Sequence, residues 1–523
     1  MNLVAVVPIF TSAGVALLPT IVAAVASMAA IVLKPRELLR LACRRPLAMG
    51  VGAGAVALGL AAAWLLAVGT SPRPSALAES KATFHCDWAN VAEEIIAQER
   101  SGKTASTQVP DAASEAACVL GRDFSRCCYG GGPSPQGLKP LWCYRPEETM
   151  FLASPAVAGN RIFAAGCQTE LGSYTGLLAC IDCETGKPIW QVTQAAGEDL
   201  RPFFSSPALT RDGKYLVIGQ GLHSDRDCPL LCFDAATGQL RWAVKTPLHV
   251  ESSPAILGNM AVVGAGAIEG PDGKAVGDPG FVVAVCIDDG KELWRQPVND
   301  PESSPAIDDG GTVYIGSGCN GNAVVAIRSE SDEQLREREL ERIAWRTPVA
   351  QPVLGAVTLA GDLVVAGAGN GDVVHSGRNA KGLVVALDRR TGEIRWQTLL
   401  ADAVLGTIAF REGALICPSR SGEVTALAVN DGRILWRVRV SGNAPVLAGC
   451  AFTGRRVYAV SSDGYLAAID CKAGKVLEKV YLNDQAKPGT GLTLSLPQVL
   501  AGRIIVGSET GGLRCLMGSE NAE

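Results

Sequence analysis

Short apolar runs alternate with tight polar turns along most of the chain, and one pattern of this kind occurs several times. Its first copy, residues 177–190, reads LLACIDCETGKPIW, and residues 230–242 and 383–396 repeat it. In each copy an apolar run leads to an acidic residue, a turn that ends in glycine, and a tryptophan four residues after that glycine. Such a run, turn and second run are typical of a β-hairpin. One hairpin cannot bury its apolar face alone, so we expect the copies to stack.

Tryptophans mark the period of this repeat. They stand at seven positions that lie 40 to 52 residues apart: Trp142, Trp190, Trp242, Trp294, Trp345, Trp396 and Trp436. Each repeat divides into an SSPA-like apolar run, a glycine turn, a valine-rich run and the two arms of the tryptophan hairpin. Four short antiparallel strands at this spacing are typical of one blade of a β-propeller. We therefore predict an all-β fold built from such blades, with the tryptophans as packing residues.

The number of blades follows from the third strand of each repeat. Eight such strands begin near residues 177, 230, 282, 324, 384, 424, 466 and 513. The last repeat ends before a fourth strand, whereas residues 138–144 carry the tryptophan of a fourth strand with no strand before it. A ring joined by strands from both ends leaves no open edge. We therefore predict an eight-bladed propeller over residues 138–518, in which residues 138–144 close the last blade. Glu478 replaces the tryptophan in blade 7, which is expected to lack that packing residue.

The N-terminal region differs from the repeats, because it contains two long stretches without charged side chains, residues 1–33 and 46–72. Each is long enough to span a membrane, which takes about 20 apolar residues. The basic stretch between them is typical of a short cytoplasmic loop. We predict two transmembrane helices within residues 1–33 and 47–70, a cytoplasmic loop at 34–46, and a linker with a cysteine-containing segment at 71–137. The propeller would then lie on the periplasmic side of the inner membrane. A cleaved signal over residues 47–78 is the alternative.

Composition narrows the classes of partner. The net charge of −5 argues against a nucleic-acid surface, because phosphate neutralisation needs a basic face.

The chain has 17 cysteines. An even set of cysteines beyond a membrane segment permits disulfides, but cysteines inside apolar runs also serve as small buried side chains. The sequence does not assign pairs.

Uneven loop lengths favour one face of the ring as a binding face. In a propeller the loops between second and third strands share a face with the connections between blades. Four of these loops are long, namely residues 166–176, 219–229, 266–280 and 367–382. Long loops on a rigid scaffold commonly carry binding residues. We predict a binding face on blades 1, 2, 3 and 5, with loop variation that lacks function as the alternative. On the opposite face, residues 328–341 are expected to form a short helix that is solvated or serves as a docking spur.

Polar residues on the long-loop face are the candidate site residues: His223, Asp225, Asp227, Glu251, Asp278, Glu302, Asn370, Asp372 and His375. His223, Asp225 and Asp227 share one loop. Histidine and carboxylates bind metal ions, but alternating acids in a glycine-rich loop are also ordinary solvated side chains. Glu251 and Glu302 precede SSPA in adjacent repeats, so we expect them at matching heights near the central channel and within reach of each other. Paired carboxylates there would suit acid–base chemistry or calcium.

The repeat array resembles the quinoprotein-type eight-bladed propellers over roughly residues 120–518. The resemblance is carried by AxDxxTGxxxW-like hairpins at residues 182–190, 234–242 and 388–396. This family includes the pyrroloquinoline-quinone (PQQ) alcohol dehydrogenases and the non-enzymatic BamB-type outer-membrane assembly lipoproteins. The resemblance implies the fold but not the function, because the hairpin is a packing device common to both. The dehydrogenases use a vicinal cysteine ring against their cofactor within the propeller, whereas the adjacent pair Cys127 and Cys128 precedes the first full blade here.

These observations favour a membrane-anchored scaffold without catalytic residues, cofactor or resident metal. Its partners would be envelope proteins or extended peptides that dock on strand edges or loops. A diverged quinoprotein oxidoreductase that uses PQQ and calcium is one alternative. A receptor for a small polar ligand in the channel is another.

Overall fold

The computed structural model describes residues 128–520, apart from residues 131–133, 147, 171–172, 224, 269–275, 320, 372–375, 377–378, 488 and 501. Within these residues eight antiparallel sheets follow one another along the chain, each with four strands in meander order. The eighth sheet is the exception, because its outermost strand comes from the N-terminal end of the described residues. The predicted eight-bladed propeller is therefore confirmed. The predicted membrane helices within 1–33 and 47–70, the loop at 34–46 and most of the segment 71–137 lie outside the described residues. In the described part, no helix has the length and apolar character needed to cross a membrane.

First strands of neighbouring blades contact one another around the axis, and the fourth strands form the rim. Blades 1 and 2 contain Ala156–Ala158, Arg161–Glu170, Ser173–Asp182 and Pro188–Val192, then Ala208–Leu209, Tyr215–Ile218, Pro229–Asp234 and Leu240–Lys245. Blades 3 and 4 contain Ala255–Leu257, Met260–Ala265, Phe281–Cys286 and Glu292–Pro297, then Ala306–Ile307, Val313–Ser317, Ala323–Ile327 and Ile343–Pro348. Blades 5 and 6 contain Thr358–Ala360, Leu363–Gly369, Gly382–Asp388 and Ile394–Leu400, then Ala409–Arg411, Ala414–Pro418, Glu423–Ala428 and Ile434–Arg439. Blade 7 contains Ala451–Thr453, Arg456–Val460, Tyr465–Asp470 and Lys475–Tyr481, and blade 8 contains Gln498–Leu500, Arg503–Gly507, Leu513–Glu520 and Pro135–Tyr144.

Short strands and one helix lie outside the four-stranded core of the blades. Thr149–Met150 extends blade 1 beside the end of Arg161–Glu170, and Gln194–Ala195 pairs with Glu198–Asp199 in a small ribbon. Helix α1, Asp332–Glu337, lies in the expanded hairpin of blade 4, where a helix was predicted. Ser331 and Gln334 form a capping box at its start, which satisfies backbone N–H groups that have no partner within the helix.

The ring is closed as predicted, by pairing the two ends of the described chain. Pro135–Tyr144 runs antiparallel to Leu513–Glu520 and is the outermost strand of blade 8. It begins three residues before the predicted start at 138. The third strand of blade 8 therefore has a partner on both sides and leaves no open edge at the seam.

Glu478 fastens this closing strand from the neighbouring blade. Its carboxylate accepts hydrogen bonds from the backbone N–H groups of Gly137, at 3.2 Å, and Leu138, at 3.1 Å. It also forms an ion pair with Arg456 at 3.1 Å. The residue that interrupts the tryptophan repeat thus performs a different task. It ties blade 7 to the strand that closes blade 8.

We expect Glu478→Gln to lower the free energy of unfolding by about 1.5–3 kcal/mol, because hydrogen bonds to a charged acceptor and the ion pair with Arg456 are weakened together. Urea unfolding followed by circular dichroism measures this effect. Glu478→Trp restores the repeat residue but removes the acceptor for Gly137 and Leu138, so it should also destabilise the protein. A Glu478→Trp protein as stable as the parent would contradict the role given to the carboxylate.

The tryptophans join each blade to the next one. Each indole N–H donates to a carbonyl in the following blade's third-to-fourth hairpin at 2.7–3.2 Å. The donors are Trp142, Trp190, Trp242, Trp294, Trp345, Trp396 and Trp436, and the acceptors are Cys183, Ala235, Ile287, Ser329, Arg389, Val429 and Cys471. In six of these seven contacts the turn glycine lies on the tryptophan ring. A β-carbon at Gly186 would come within 2.5 Å of Trp142. The constant spacing within the hairpins therefore reflects two contacts. The turn glycine packs against the tryptophan of the preceding blade, and the tryptophan of the same hairpin packs on the following blade.

The SSPA serines link the first strands around the axis. The backbone N–H of Ser206 donates to the hydroxyl of Ser253 at 2.9 Å, and Ser253 repeats this contact with Ser304. The hydroxyl of Ser205 donates to the carbonyl of Ser252 at 3.0 Å, and Ser252 in turn donates to Ser303. These buried side chains satisfy backbone groups at the inner edges of the sheets. The motif is thus a connection between blades.

An additional strand that the sequence did not predict lies on the axial side of blade 7. Tyr129–Gly130 pairs in parallel with Ala451–Thr453 and contacts the first strands of blades 6 and 8. Ser134 is fully buried and donates to the carbonyl of Thr453 at 2.7 Å. The described chain therefore begins on the axial side of blade 7, and Ser134 lies against the first-to-second turn of that blade just before the closing strand of blade 8 begins.

Most cysteines of the described region serve as small apolar side chains. Eleven of them carry thiols that form no disulfide: Cys143, Cys167, Cys180, Cys183, Cys228, Cys232, Cys286, Cys417, Cys450, Cys471 and Cys515. Burial raises the pKa of the Cys180 thiol to about 11 and that of Cys232 to about 12. These thiols stay protonated at neutral pH and are poor nucleophiles.

Candidate functional site

The long-loop face carries the candidate site, although one of its predicted loops has a regular structure. Arg161–Glu170 and Ser173–Asp182 continue their antiparallel pairing to Glu170 and Ser173. The predicted loop 166–176 is therefore the tip of a long β-hairpin. Thr169, Tyr174 and Thr175 are residue types that favour strands, and they are the sequence signal for this hairpin.

Four side chains meet at the mouth of the central channel, where blades 2, 3 and 4 adjoin. Glu302 Oε1 lies 3.0 Å from His223 Nδ1 and 2.9 Å from His249 Nε2. His223 Nδ1 also lies 3.4 Å from Glu251 Oε1. The two imidazole rings meet edge to face, with their centres 5.6 Å apart. We call these four residues the His–Glu cluster.

Local sequence explains why three of these residues converge. His249 and Glu251 stand two positions apart in the connection that leads into blade 3, where His249 contacts Glu302 and Glu251 contacts His223. Glu302 occupies the same position before its SSPA strand as Glu251 does. The two glutamates therefore reach one site, where His223 lies within 3.4 Å of both. His249 was not predicted from the sequence, although it stands only two positions before the predicted residue Glu251.

Gly266 forms a tight wall of the cluster. A β-carbon at this position would come within 2.5 Å of Glu302 Cγ and 2.6 Å of His249 Nε2. The backbone N–H of Gly266 also donates to the carbonyl of His249 at 3.2 Å. The imidazole and the carboxylate are thus held closely against the backbone of blade 3.

The two glutamates differ in their protonation. Burial raises the pKa of the Glu251 carboxyl to about 8, although His223 acts in the opposite direction. Burial also favours a raised pKa for Glu302, but hydrogen bonds from His223 and His249 outweigh it and lower that pKa well below the usual range. Burial and hydrogen bonding therefore shift the pKa values of the two carboxyl groups in opposite directions.

One ring of equivalent residues around the axis is apolar apart from the two glutamates of this cluster. In each blade one residue stands directly before the position of the first SSPA serine. These eight side chains are all buried or half-buried: Leu152, Phe204, Glu251, Glu302, Leu354, Leu405, Leu447 and Leu494. Only blades 3 and 4 carry a charged group in this ring. The two glutamates of the His–Glu cluster are thus the charged members of an otherwise apolar ring.

Asp225, Asp227 and Asp278 are predicted site residues that lie outside the His–Glu cluster. Asp225 accepts a hydrogen bond from the backbone of Leu222 at 2.9 Å, and Asp227 adopts a positive φ of 54° in the same loop. Of the three predicted site residues in this loop, His223 is the one that contacts Glu251 and Glu302. Asp278 is exposed and accepts from the backbone of Gly280 at 2.9 Å. Asp372 and His375 lie outside the described residues.

Asn370 belongs to a second polar network, which fixes the loop of blade 5. Its side chain accepts from the backbone of Lys381 and donates to the carbonyl of Asn379, both at 2.7 Å. Its own carbonyl accepts from Arg420, a fully buried residue that forms an ion pair with Asp402 at 2.7 Å. The hydroxyl of Ser376 donates to the other oxygen of Asp402. This network holds a long loop in one arrangement.

A family model described as outer membrane protein assembly factor BamB matches residues 98–376 and 380–520 of the chain. Over 217 residues the chain is 25% identical to outer membrane protein assembly factor BamB of Moranella endobia (strain PCIT). The matched stretch covers 38% of this chain and 52% of that protein. The matched stretch thus spans about half the length of this relative.

Solved structures with the same fold include a BamB protein and an alcohol dehydrogenase. The structure of BamB from Moraxella catarrhalis aligns with a TM-score of 0.52 and 16% identity, covering 74% of this chain and 99% of that one. Quinohemoprotein alcohol dehydrogenase from Comamonas testosteroni aligns with a TM-score of 0.54 and 14% identity, covering 78% of this chain and 81% of that one. At these identities the likeness shows the fold alone.

Proposed function

Since the chain belongs to the PQQ-like propeller family whose model is described as outer membrane protein assembly factor BamB, we propose that it is a non-catalytic scaffold that binds proteins or extended peptides. Its binding surface is the long-loop face. We also propose that it is anchored in the inner membrane with the propeller in the periplasm. The uncharged stretches 1–33 and 46–72, and the basic residues between them, support that placement.

The position of the exposed apolar side chains carries this proposal. Among large apolar side chains of the described residues, the three most exposed are Leu399 at 77%, Tyr174 at 59% and Val276 at 49%. Tyr174 lies at the hairpin tip of blade 1, Val276 in the loop of blade 3, and Leu399 at the end of blade 5's fourth strand beside its long loop. All three lie on the long-loop face. Exposed aromatic and aliphatic side chains on a rigid frame are typical anchors of protein interfaces.

The residues at the channel mouth do not fit PQQ with calcium. PQQ carries several carboxylate groups, so a site for it needs cationic partners. Among the described residues, the ring at the mouth consists of apolar side chains and two glutamates. The fully buried Arg420 is already paired with Asp402. Calcium also prefers ligands that are all oxygen, whereas Glu302 here is hydrogen-bonded to two imidazoles.

We expect the substitutions Tyr174→Ser, Val276→Ser and Leu399→Ser, made together in the full-length chain, to reduce partner binding at least about tenfold. Loss of buried apolar anchors typically costs about 1–2 kcal/mol each at an interface. Cross-linking in cell envelopes, followed by affinity capture and mass spectrometry, measures the bound partners. The folded state should be unchanged, because all three side chains are exposed.

A matched control replaces three exposed apolar residues elsewhere on the propeller, Leu257→Ser, Leu293→Ser and Leu477→Ser. Leu257 lies on the short-turn face, and the other two lie on fourth strands at the rim. This control should retain the partners that the long-loop variant loses. Equal capture by the two variants would refute the assignment of the face. Reduction of a dye by the full-length protein with PQQ, calcium and alcohols would refute the non-catalytic role.

A further inference from the structure

The His–Glu cluster is arranged to bind a metal ion. We propose that His223, His249 and Glu251 bind one divalent transition-metal ion, and that Glu302 is the carboxylate that orients the two imidazoles. His223, His249 and Glu251 each bring one ligand atom to within 4.8 Å of the others. The proposal departs from the expectation, drawn from the sequence, that the protein holds no metal. It is independent of the proposed scaffold function.

Two buried atoms of the cluster carry no hydrogen bond within the described structure. They are Nδ1 of His249, a residue with 0% exposure, and Oε1 of Glu251. Buried polar atoms in proteins almost always have a partner, and exceptions require an explanation. An imidazole nitrogen and a carboxylate oxygen are both metal-ligand atoms, so one bound cation accounts for both exceptions.

Glu302 supplies the support that histidine ligands usually have. A metal-bound histidine commonly donates its second ring N–H to a carboxylate, which fixes the ring and makes the ligand more basic. Glu302 Oε1 accepts from His249 Nε2 at 2.9 Å and from His223 Nδ1 at 3.0 Å. One carboxylate therefore orients both histidines.

The ligand set selects the class of metal. Two imidazoles favour zinc, cobalt, nickel or copper, whereas magnesium and calcium prefer oxygen ligands. A His₂Glu set leaves one position of a tetrahedral zinc ion open. The side chain of His223 is 43% exposed, so the cluster is reached from solvent on the long-loop face. Water would occupy the open position.

The test uses the full-length chain after removal of metals with a chelator. Titration with Zn²⁺ should show one ion bound per chain, and Co²⁺ should give the visible absorption of a four-coordinate site. Glu251→Gln and His223→Ala should each weaken the affinity at least about tenfold. Glu302→Gln, which keeps the shape but weakens the support of both imidazoles, should weaken it by about 10–100-fold.

Asp225→Asn is the matched control, because it lies in the loop of His223 but outside the cluster, and it should bind Co²⁺ like the parent. Circular dichroism should show that all variants are folded. The double variant His223→Ala with Glu251→Gln should lose the absorption completely. Stoichiometric binding that persists in the double variant would place the ion elsewhere, for example on thiols, and would overturn the proposal. The proposal would equally fail if the parent chain bound no Zn²⁺ at micromolar concentrations.

Discussion

A chain that begins at residue 146, and therefore lacks the closing strand Pro135–Tyr144, is expected to lose cooperative unfolding and to aggregate. Three contacts disappear together. Leu513–Glu520 becomes an open edge that can pair with another molecule. The indole of Trp142 no longer joins blade 8 to Cys183 of blade 1, and Glu478 loses the backbone groups that it binds. Thermal unfolding and gel filtration measure the two effects.

A chain that begins at residue 128 is the matched control, because it keeps every described contact of the closing strand. It should remain monomeric and unfold in one transition. A synthetic peptide of residues 134–145, added to the shortened chain during refolding, should restore part of the folded population. A shortened chain that stays monomeric with the parent's melting temperature would show that the seam needs no closing strand.

Replacement of Arg420 by methionine is expected to lower the free energy of unfolding by about 3–5 kcal/mol near neutral pH. Arg420 and Asp402 are 0% and 4% exposed in their side chains, and the mutation leaves the carboxylate without its charged partner. Arg420→Met combined with Asp402→Asn should recover much of the loss, because no buried charge remains. Urea unfolding of both variants measures the difference.

The effect of Arg420→Met should depend on pH. Burial alone would raise the pKa of Asp402, but the hydrogen bonds from Arg420 and Ser376 outweigh it and lower the pKa. A lowered pKa stabilises the folded state at pH values above the unfolded pKa of about 3.9, and this contribution is lost as the pH falls through the folded value. The difference between parent and variant should therefore be largest near neutral pH and shrink as the pH falls to about 4 and below, because protonation of Asp402 removes the unpaired buried charge of the variant and the ion pair of the parent. An effect of constant size down to that range would contradict the ion-pair explanation.

Lys291→Met provides the comparison for an exposed ion pair. Lys291 lies 2.7 Å from Asp289, but the two side chains are 81% and 42% exposed. Water screens such pairs, so little change in stability is expected. A large effect at this surface site would mean that charge alone, rather than burial, explains the result at Arg420.

The fold was predictable because the signals that specify it are local and repeated. The glycine and tryptophan of each hairpin mark a contact with a neighbouring blade, so their spacing reports the period of the ring. Residues 138–144 were recognisable as the closing strand because Trp142 carried the repeat signal outside any complete hairpin. Tyr129–Gly130 was not predictable. A two-residue parallel strand has no periodicity of its own and depends on the inner edge that blade 7 offers.

The candidate site was predictable only where it follows the repeat. Glu251 and Glu302 share one position of the SSPA strand, and the structure places both beside His223. The contribution of His223 depends on how its loop bends, and no local pattern specifies that bend. Arg420 and Asp402 come from different blades, and their ion pair arises only when the second strand of blade 6 ends beside the connection that leaves blade 5. Such long-range pairs are not marked by the spacing of residues in one sequence.

The closing strand also sets the order of events during synthesis. Pro135–Tyr144 leaves the ribosome before any complete blade, yet its partner Leu513–Glu520 is made last. At ~5–20 residues per second, the interval between the two is roughly 20–75 s. For that time the early strand has its tryptophan exposed and no partner to pair with. Newly made chains therefore depend on delayed pairing or on a chaperone over this interval, and crowding of unfinished chains should favour exchange of this strand between molecules.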